Sequence, residues 1–246
     1  MSSYEWMIRA FVEGWFIARG KGCSTLQQEG TAWHIHYGVP MGGRDHELFV
    51  WQMAPERVRS VAHRLTRGAP HWLGVLQADG AELEKGYAAA NYIPSVYEMI
   101  MHRPPAPITM TPLPEGFLLQ QVITSAQADW YNRLQKRQAI YPAELTDNRL
   151  RYYLVYQGML PVARGRLALL DGGIFTLDGI HTLHTHRRRG VGRAMVTRMI
   201  HDAAAAGHPT GILSSSDMGH PLYRQLGYED ILPLTIFDSV ATTAII

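Results

Sequence analysis

Residues 187–192 carry the clearest chemical signal in the sequence, Arg-Arg-Arg-Gly-Val-Gly. They lie between a segment with strand-like alternation and a segment with helical spacing. Gly190 and Gly192 lack side chains, so backbone N–H groups there can approach a ligand closely, and the following helix adds the positive end of its dipole. Four cationic side chains lie within seven residues, namely Arg187, Arg188, Arg189 and Arg193. A basic loop can be merely solvated, but this placement predicts a site for a pyrophosphate.

Length and composition limit the kind of protein. The 246 residues are 46% hydrophobic, which suffices for one large domain or two domains of ordinary size. The formal net charge is only +2, so no global field would attract nucleic acid or an anionic membrane. A single cysteine excludes an internal disulfide and is typical of a reducing compartment. We therefore expect a cytoplasmic protein without a nucleic-acid or membrane partner.

A proline-rich segment divides the sequence into two halves. Residues 103–116 contain five prolines, which remove backbone donors and favour an extended path. We predict an N-terminal α+β domain at residues 1–102, a linker at 103–116 and a C-terminal domain at 117–246. In the first half the patterns predict a helix at 6–18, a hairpin of strands 31–39 and 46–51, a helix at 55–66, strands at 72–76 and 96–101, and a short helix between those two strands.

The second half combines a strand meander with one crossover. Its predicted elements are a strand at 117–122, a helix at 126–138, strands at 152–156, 162–170 and 174–183, a helix at 191–206, a strand at 211–215, a short helix at 221–226 and a strand at 231–237. The order strand, glycine loop, helix, strand implies one parallel crossover in an otherwise antiparallel sheet.

This order, with Arg-x-x-Gly-x-Gly at the junction of strand and helix, resembles the GNAT superfamily of acyl-CoA-dependent N-acetyltransferases. Arg187, Gly190 and Gly192 match the family's loop signature, and residues 222–228 match a second marker, Leu-Tyr-x-x-Leu-Gly-Tyr. The resemblance covers residues 117–237. It implies an α+β fold with a mixed, mostly antiparallel sheet flanked by helices.

The resemblance also implies where acetyl-CoA binds as co-substrate. The loop and the start of its helix would hold the pyrophosphate, and the preceding strand would pair with the pantetheine arm beside a bulge, for which Gly179 is the obvious position. A second Asp-Gly turn at Gly179 is the alternative. The predicted coenzyme-binding residues are Ile180, Thr182, Arg187, Arg188, Arg189, Gly190, Val191, Gly192 and Arg193.

Attack of an amine on a thioester requires that the amine lose a proton, because an ordinary alkylamine is almost wholly charged at neutral pH. Asp178 lies where family members commonly place the base, and His181 is its rival; which of them faces the substrate depends on the conformation at Gly179. Tyr223 matches the family tyrosine that protonates or hydrogen-bonds the leaving sulfur. We therefore predict Tyr223 as acid and Asp178 as base.

Histidines recur in two short patterns. No cysteine or carboxylate at ligand spacing completes a set with His181, His184 and His186, so we expect no metal. His34 and His36 would share one face of a strand and are interpreted as surface side chains.

The first half contains no Arg-x-x-Gly-x-Gly loop, yet its ending, with Gly86-Tyr87 followed by a strand, is similar to the Gly227-Tyr228 ending of the second half. We interpret it as a degenerate GNAT-like copy in a tandem fold. The expected reaction transfers an acetyl group to a primary amine of a small molecule or peptide through a tetrahedral intermediate. The alternatives are another acyl donor and a non-catalytic acyl-CoA-binding or regulatory module, and a homodimer is one assembly to test.

Overall fold

Eleven strands form one continuous sheet in the computed structural model, which describes residues 4–40, 43–77 and 81–240. The strands are β1 (Thr25–Glu29), β2 (Ala32–His36), β3 (His46–Trp51), β4 (His71–Leu76), β5 (Tyr92–Arg103), β6 (Phe117–Gln121), β7 (Leu150–Gln157), β8 (Leu160–Leu170), β9 (Ile174–Thr182), β10 (Thr210–Ser215) and β11 (Glu229–Ser239). The helices are α1 (Glu5–Arg19), α2 (Pro55–Thr66), α3 (Ala81–Ala89), α4 (Ser125–Gln135), α5 (Val191–Ala205) and α6 (His220–Gln225), with 3-10 turns at Pro142–Thr146 and His184–His186. The predicted α+β class is confirmed.

The strand order shows that the two halves exchange strands. Across the sheet the order is β1-β2-β3-β4-β11-β5-β10-β9-β8-β7-β6. The last of the described strands, β11, lies between β4 and β5, while β5 lies between β11 and β10. Only β3–β4 and β9–β10 pair in parallel, and the other neighbours are antiparallel. The domain boundaries predicted from the sequence stay a prediction. Strands that precede the proposed linker and strands that follow it pair with each other in one continuous sheet.

Corresponding elements repeat in the two halves. The series β1-β2-β3-α2-β4-α3-β5 has the same order as β7-β8-β9-α5-β10-α6-β11. Tyr87 and Tyr92 at the α3–β5 junction meet edge to face with ring centroids 6.0 Å apart, and Tyr223 and Tyr228 at the α6–β11 junction do the same at 5.6 Å. Tyr87 therefore corresponds to Tyr223, and Tyr92 to Tyr228. The Gly86-Tyr87 and Gly227-Tyr228 pairs that are similar in sequence do not occupy equivalent places, because Gly86 lies within α3 and Gly227 follows α6.

Helix α1 belongs to the first half of the sequence but packs across both halves. At its middle, Gly14 contacts β9 so closely that a Cβ there would lie 2.3 Å from Cγ2 of Thr176. The next residue, Trp15, donates a 2.6 Å hydrogen bond to the buried Glu47 of β3. The helix thus fixes the two halves to each other through one apolar core. Among the described residues, no helix has both the length and the apolar character needed to cross a bilayer.

The proline-rich segment packs against the second half instead of projecting into solvent. Arg103, at the end of β5, is 3% exposed and donates to the carbonyls of Ala106 and Leu226. Further along, the Thr111 amide donates to the Thr197 hydroxyl of α5. These contacts hold the connection along α5, beside the loop that starts that helix.

The histidines of the first half do not all lie on the surface. His36 is partly exposed, but His34 is only 5% exposed and its Nε2 lies 2.9 Å from Nδ1 of His46. The interpretation of His34 as a surface side chain is therefore wrong. The alternation of β2 does place His34 and His36 on one face, but His34 lies opposite Leu48 inside the sheet, whereas His36 lies opposite His46 at the start of β3.

Candidate functional site

The parallel strands β9 and β10 separate partway along their length. They pair from Ile174 with Thr210 to Thr176 with Ile212, and then diverge although both strands continue. In the first half, the corresponding strands β3 and β4 stay paired from His46 with His71 to Trp51 with Leu76. A wedge-shaped opening therefore exists between the strands of the second half and is closed in the first.

The equivalent space at the start of α2 is also filled. Helix α3 packs so tightly on the first turn of α2 that a Cβ at Gly86 would lie 2.8 Å from Cγ of Pro55. No glycine loop precedes α2, which starts directly at Pro55. The first half thus lacks both the opening and the loop, as expected for a degenerate copy.

A cavity of about 1000 Å³ occupies the opening between β9 and β10. Its walls are the second half of β9, the start of α5, the end of β10 and helix α6. The loop of residues 187–192 lies at one end, and Tyr223 of α6 lines the interior. Nine of the eleven residues predicted for coenzyme binding and catalysis therefore line one cavity, and the exceptions are Arg189 and Val191.

The loop before α5 has the geometry of an anion site. Gly190 caps α5 at φ +81°, and no side chain satisfies the first N–H groups of the helix. A Cβ at Gly192 would lie 3.4 Å from the Thr182 hydroxyl, so the turn of helix sits close against β9. Arg188 adopts φ +59°, a strained conformation for a residue with a side chain, and strain of this kind concentrates at functional sites.

The arginines of the loop differ in their roles. Arg187 donates to the Thr182 carbonyl at 3.0 Å, and Arg193 donates to Gln225 at 2.6 Å, so both are held in place. Arg188 lines the cavity and makes no hydrogen bond or ion pair with any described residue. Arg189 is exposed and does not line the cavity, and the Val191 side chain is buried in the core, so only its backbone can face a ligand.

A β-bulge lies at Gly179, as the sequence predicted. Gly179 has φ +62°, and the register between β8 and β9 shifts from Arg166 opposite Asp178 to Arg164 opposite His181. Because the two arginines are two residues apart, they share a face of the sheet, and so do Asp178 and His181. Beyond the bulge, Ile180 and Thr182 line the cavity.

Asp178 reaches the cavity, but its carboxylate is held in ion pairs. Arg19 of α1 donates to Oδ1 at 2.8 Å, and the buried Arg166 donates to Oδ2. Burial alone would raise the pKa of Asp178, but the charges of Arg166 and Arg19 and their hydrogen bonds outweigh it and hold the pKa well below its usual range. A carboxylate with so low a pKa is a weak base. The geometry therefore argues against the sequence-based assignment of Asp178 as base.

His181 and Tyr223 are both desolvated. Burial lowers the pKa of His181, and the nearby charges of Arg164 and Arg187 lower it further. Burial raises the pKa of Tyr223, and the negative charges of Asp178 and Glu98 add to the effect, so its phenol stays protonated at every physiological pH. Tyr223 is thus a permanent O–H group inside the cavity.

The loop, the separated strands and the buried tyrosine lie within a part of the chain that matches a known family. Residues 119–228 match the model of the acetyltransferase (GNAT) family. This part of the chain is a GNAT domain. Proteins of this family transfer acyl groups from acetyl-CoA.

Individual relatives agree with this assignment. The uncharacterized N-acetyltransferase YjcF of Bacillus subtilis (strain 168) is 35% identical over 83 residues, which span 33% of this chain and 58% of that protein. A GCN5-related N-acetyltransferase from Kribbella flavida has a similar fold over 97% of this chain and 96% of its own, with a TM-score of 0.69 at 15% identity. A tandem GNAT protein from the clavulanic acid biosynthesis pathway aligns over 92% of this chain and 86% of its own, with a TM-score of 0.57 at 12% identity. The whole chain therefore has a GNAT-like fold that includes the first half.

One acidic residue of the cavity comes from outside the GNAT domain. Glu98 lies on β5, the exchanged strand that pairs with β10, and lines the same cavity as Tyr223. The Ser214 side chain lies close enough to favour the charged form of its carboxyl group, while Oε2 of Glu98 is shielded from solvent and has no hydrogen-bond partner among the described residues. Burial raises the pKa of Glu98 above its usual range, against the opposing effects of Ser214 and Arg19.

Sequence reasoning missed Glu98 as a site residue. It lies more than eighty positions before the loop signature, in the half without a coenzyme motif. The local sequence offers one indication, because Glu98 is the single charged residue in the strand segment Val96–Met101. A buried charge in such a segment requires a partner or has a functional role. Only the exchange of β5 brings it beside Tyr223.

Proposed function

We propose that the protein transfers the acetyl group of acetyl-CoA to a primary amine by direct attack of the amine on the thioester. The observation that carries this proposal is the separation of β9 from β10 into a cavity with a basic glycine loop at one end and Tyr223 and Glu98 within. One end suits a polyphosphate, and the interior suits proton transfer.

The donor would bind through backbone more than through side chains. The first N–H groups of α5 have no side-chain cap, and Gly190 and Gly192 let a pyrophosphate approach them. Arg188, which has no partner among the described residues, would add a charge-assisted hydrogen bond. The free edge of β9 beyond the bulge offers N–H and C=O groups that can pair with the amide-containing arm of the coenzyme.

Glu98 suits the role of general base better than Asp178. An alkylammonium acceptor must lose its proton before its nitrogen attacks the thioester carbon. A buried carboxylate with a raised pKa and one unpartnered oxygen can accept this proton, directly or through one water molecule. The proton on Glu98 leaves to solvent, and the neutral nitrogen attacks the thioester carbon. The nitrogen then loses its second proton to Glu98 or to water, and the carbon–sulfur bond breaks to release coenzyme A as the thiolate.

Tyr223 would stabilise the leaving sulfur. A thiolate has an ordinary pKa near ~8.5, below that of a desolvated phenol, so complete proton transfer from Tyr223 to sulfur is unfavourable. A hydrogen bond from the Tyr223 hydroxyl to the developing thiolate requires no such transfer and is strongest when the negative charge is largest. Tyr223 therefore acts mainly as a hydrogen-bond donor in this proposal.

The test compares two conservative variants in a screen of amine acceptors with detection of the free thiol. Glu98→Gln should lower kcat about 100- to 10,000-fold, the usual contribution of a general base. Tyr223→Phe should also lower kcat, and both variants should bind acetyl-CoA as tightly as the original protein by calorimetry. The matched control is Glu229→Gln. It removes an exposed carboxylate from β11, the strand next to β5, and should leave kcat unchanged.

The outcomes separate the enzyme from a binding module. If coenzyme binds but no amine accelerates acetyl-CoA consumption, a non-catalytic acyl-CoA-binding function replaces the proposal. If an amine is acetylated at the same rate by the Glu98→Gln variant, the enzyme stands and Glu98 is not its base. Parallel assays with succinyl-CoA decide whether the acyl group is acetyl or a dicarboxylic acyl group that the loop arginines could recognise.

A further inference from the structure

Three side chains that commonly bind metals converge on the first half, far in sequence from the coenzyme loop. His36 ends β2 and lies directly opposite His46, which begins β3, while Asp45 immediately precedes His46. One nitrogen of each imidazole and one carboxylate oxygen all lie within 4.8 Å of one another. None of the three lines the coenzyme cavity.

The distances between these atoms suit a small divalent ion. Nε2 of His36 lies 3.2 Å from Oδ2 of Asp45, and Nε2 of His46 lies 3.3 Å from Oδ1 of the same carboxylate. In a tetrahedral zinc site with bonds of 2.0–2.1 Å, neighbouring ligand atoms are about 3.3 Å apart. Each imidazole therefore stands at nearly the tetrahedral spacing from one oxygen of the carboxylate, and the two histidines lie on adjacent strands. The two rings stack with centroids 4.5 Å apart, so a side-chain rotation has to bring both nitrogen lone pairs onto one ion.

A third histidine orients the cluster. Nε2 of the buried His34 lies 2.9 Å from Nδ1 of His46, on the side of the ring away from Asp45. When the N–H group at Nδ1 of His46 donates a hydrogen bond to Nε2 of His34, Nε2 of His46 carries a lone pair and points toward the Asp45 carboxylate. Metal-binding histidines usually have such a partner on the second ring nitrogen, which fixes both tautomer and ring orientation.

We propose that His36, Asp45 and His46 bind a divalent first-row transition metal ion, with His34 as a positioning residue. Two imidazoles and one carboxylate favour a borderline ion such as Zn²⁺ over Mg²⁺ or Ca²⁺, which prefer oxygen ligands. His36 and Asp45 are partly exposed, so the ion can enter from solvent and complete its coordination with water. The ion would join the ends of β2 and β3 in the half that has no coenzyme loop, and it replaces our sequence-based expectation that no metal binds.

The experiment titrates Zn²⁺ into the full chain after treatment with a chelator. We expect one equivalent to bind with micromolar or tighter affinity by calorimetry and to raise the melting temperature. Co²⁺ at the same site should give the intense visible absorption of a tetrahedral complex. Zn²⁺ binding should become at least tenfold weaker in each of the variants His36→Asn, Asp45→Asn and His46→Ala. The variant His34→Gln keeps all three ligands and should weaken Zn²⁺ binding about 10- to 100-fold.

His201→Ala is the matched control, because His201 is an exposed histidine beside a carboxylate, 3.6 Å from Asp202, and lacks a second imidazole. It should bind Zn²⁺ as the original protein does. His36→Asn and Asp45→Asn change partly exposed side chains, so they test the site even if His46→Ala does not fold. Binding no tighter than that of the double variant His36→Asn/Asp45→Asn, or a Co²⁺ complex with only weak octahedral absorption, would overturn the proposed site.

Discussion

Replacing Asp178 by asparagine distinguishes a structural carboxylate from a catalytic one. Asp178 lies between two guanidinium groups, and its side chain is only 13% exposed, while that of Arg166 is 4% exposed. The amide of asparagine has nearly the same shape but no charge. It would leave Arg166 buried without a counter-ion and facing Arg19. Breaking a buried ion pair by removing one partner costs about 3–5 kcal/mol.

This cost predicts a large thermal effect. For a chain of this size, each kcal/mol corresponds to roughly 2–4 °C in the melting temperature, so Asp178→Asn should lower it by about 6–20 °C. Asp171→Asn removes an exposed carboxylate from the turn before β9 and should change the melting temperature by less than ~2 °C. Circular dichroism during heating measures both variants against the original protein.

The pH dependence has a defined sign. Folding lowers the pKa of Asp178, so its contribution to stability is present above the unfolded pKa of about 3.9 and is lost as the pH falls toward the lower folded pKa. The stability gap between the original protein and Asp178→Asn should therefore be constant near neutral pH and narrow only below pH ~4. A variant that melts like the original protein but acetylates amines a hundredfold more slowly would refute the structural role and restore Asp178 as the base.

Three further predictions follow from other contacts. Gly14→Ala should cost about 1–3 kcal/mol of stability, because the new methyl group would overlap Thr176, and the second substitution Thr176→Ser should recover part of the loss in melting temperature. Arg188→Ala should weaken coenzyme A binding about tenfold by calorimetry without changing the melting temperature, since Arg188 has no partner among the described residues. The raised pKa of Glu98 predicts that kcat/KM falls with decreasing pH at values above the ordinary glutamate pKa of ~4.3; Glu98→Gln should abolish this limb, and an unchanged profile would contradict the assignment.

Most local elements could be predicted from the sequence because their periodicity and end signals are strong. Helix α2 begins at Pro55 and ends at Thr66, as the pattern indicated, and the bulge at Gly179 follows from a glycine placed within a strand. Strand β1 was missed, because Thr25–Glu29 is mostly exposed and polar and lacks the alternation that identifies a half-buried strand. Backbone pairing with β2 holds these residues in a strand although their sequence pattern does not indicate one.

The site itself could be predicted only in part. The loop and Tyr223 follow from motifs with short sequence spacing, whereas the partners of Asp178 lie on α1 and β8 and the candidate base lies on β5. No local pattern records that Arg19 would reach Asp178 across 159 positions of sequence. Contacts between residues so far apart in sequence decide that Asp178 is held in ion pairs and that Glu98 remains available as a base. The strand order reveals these contacts, and the sequence does not.

The exchange of β5 and β11 also sets the order in which the molecule can be completed during synthesis. In the sheet, β4 and β5 are separated by β11, which follows both of them by more than 120 residues in the sequence. Until residues 229–239 emerge, β4 has no neighbour on that side and β5 lacks one of its two partners. The sheet of the first half therefore cannot close until β11 has been synthesised, so folding depends on contacts of long sequence separation and is slow. During that interval the open edges of β4 and β5 are a target for chaperones and for pairing with other nascent chains.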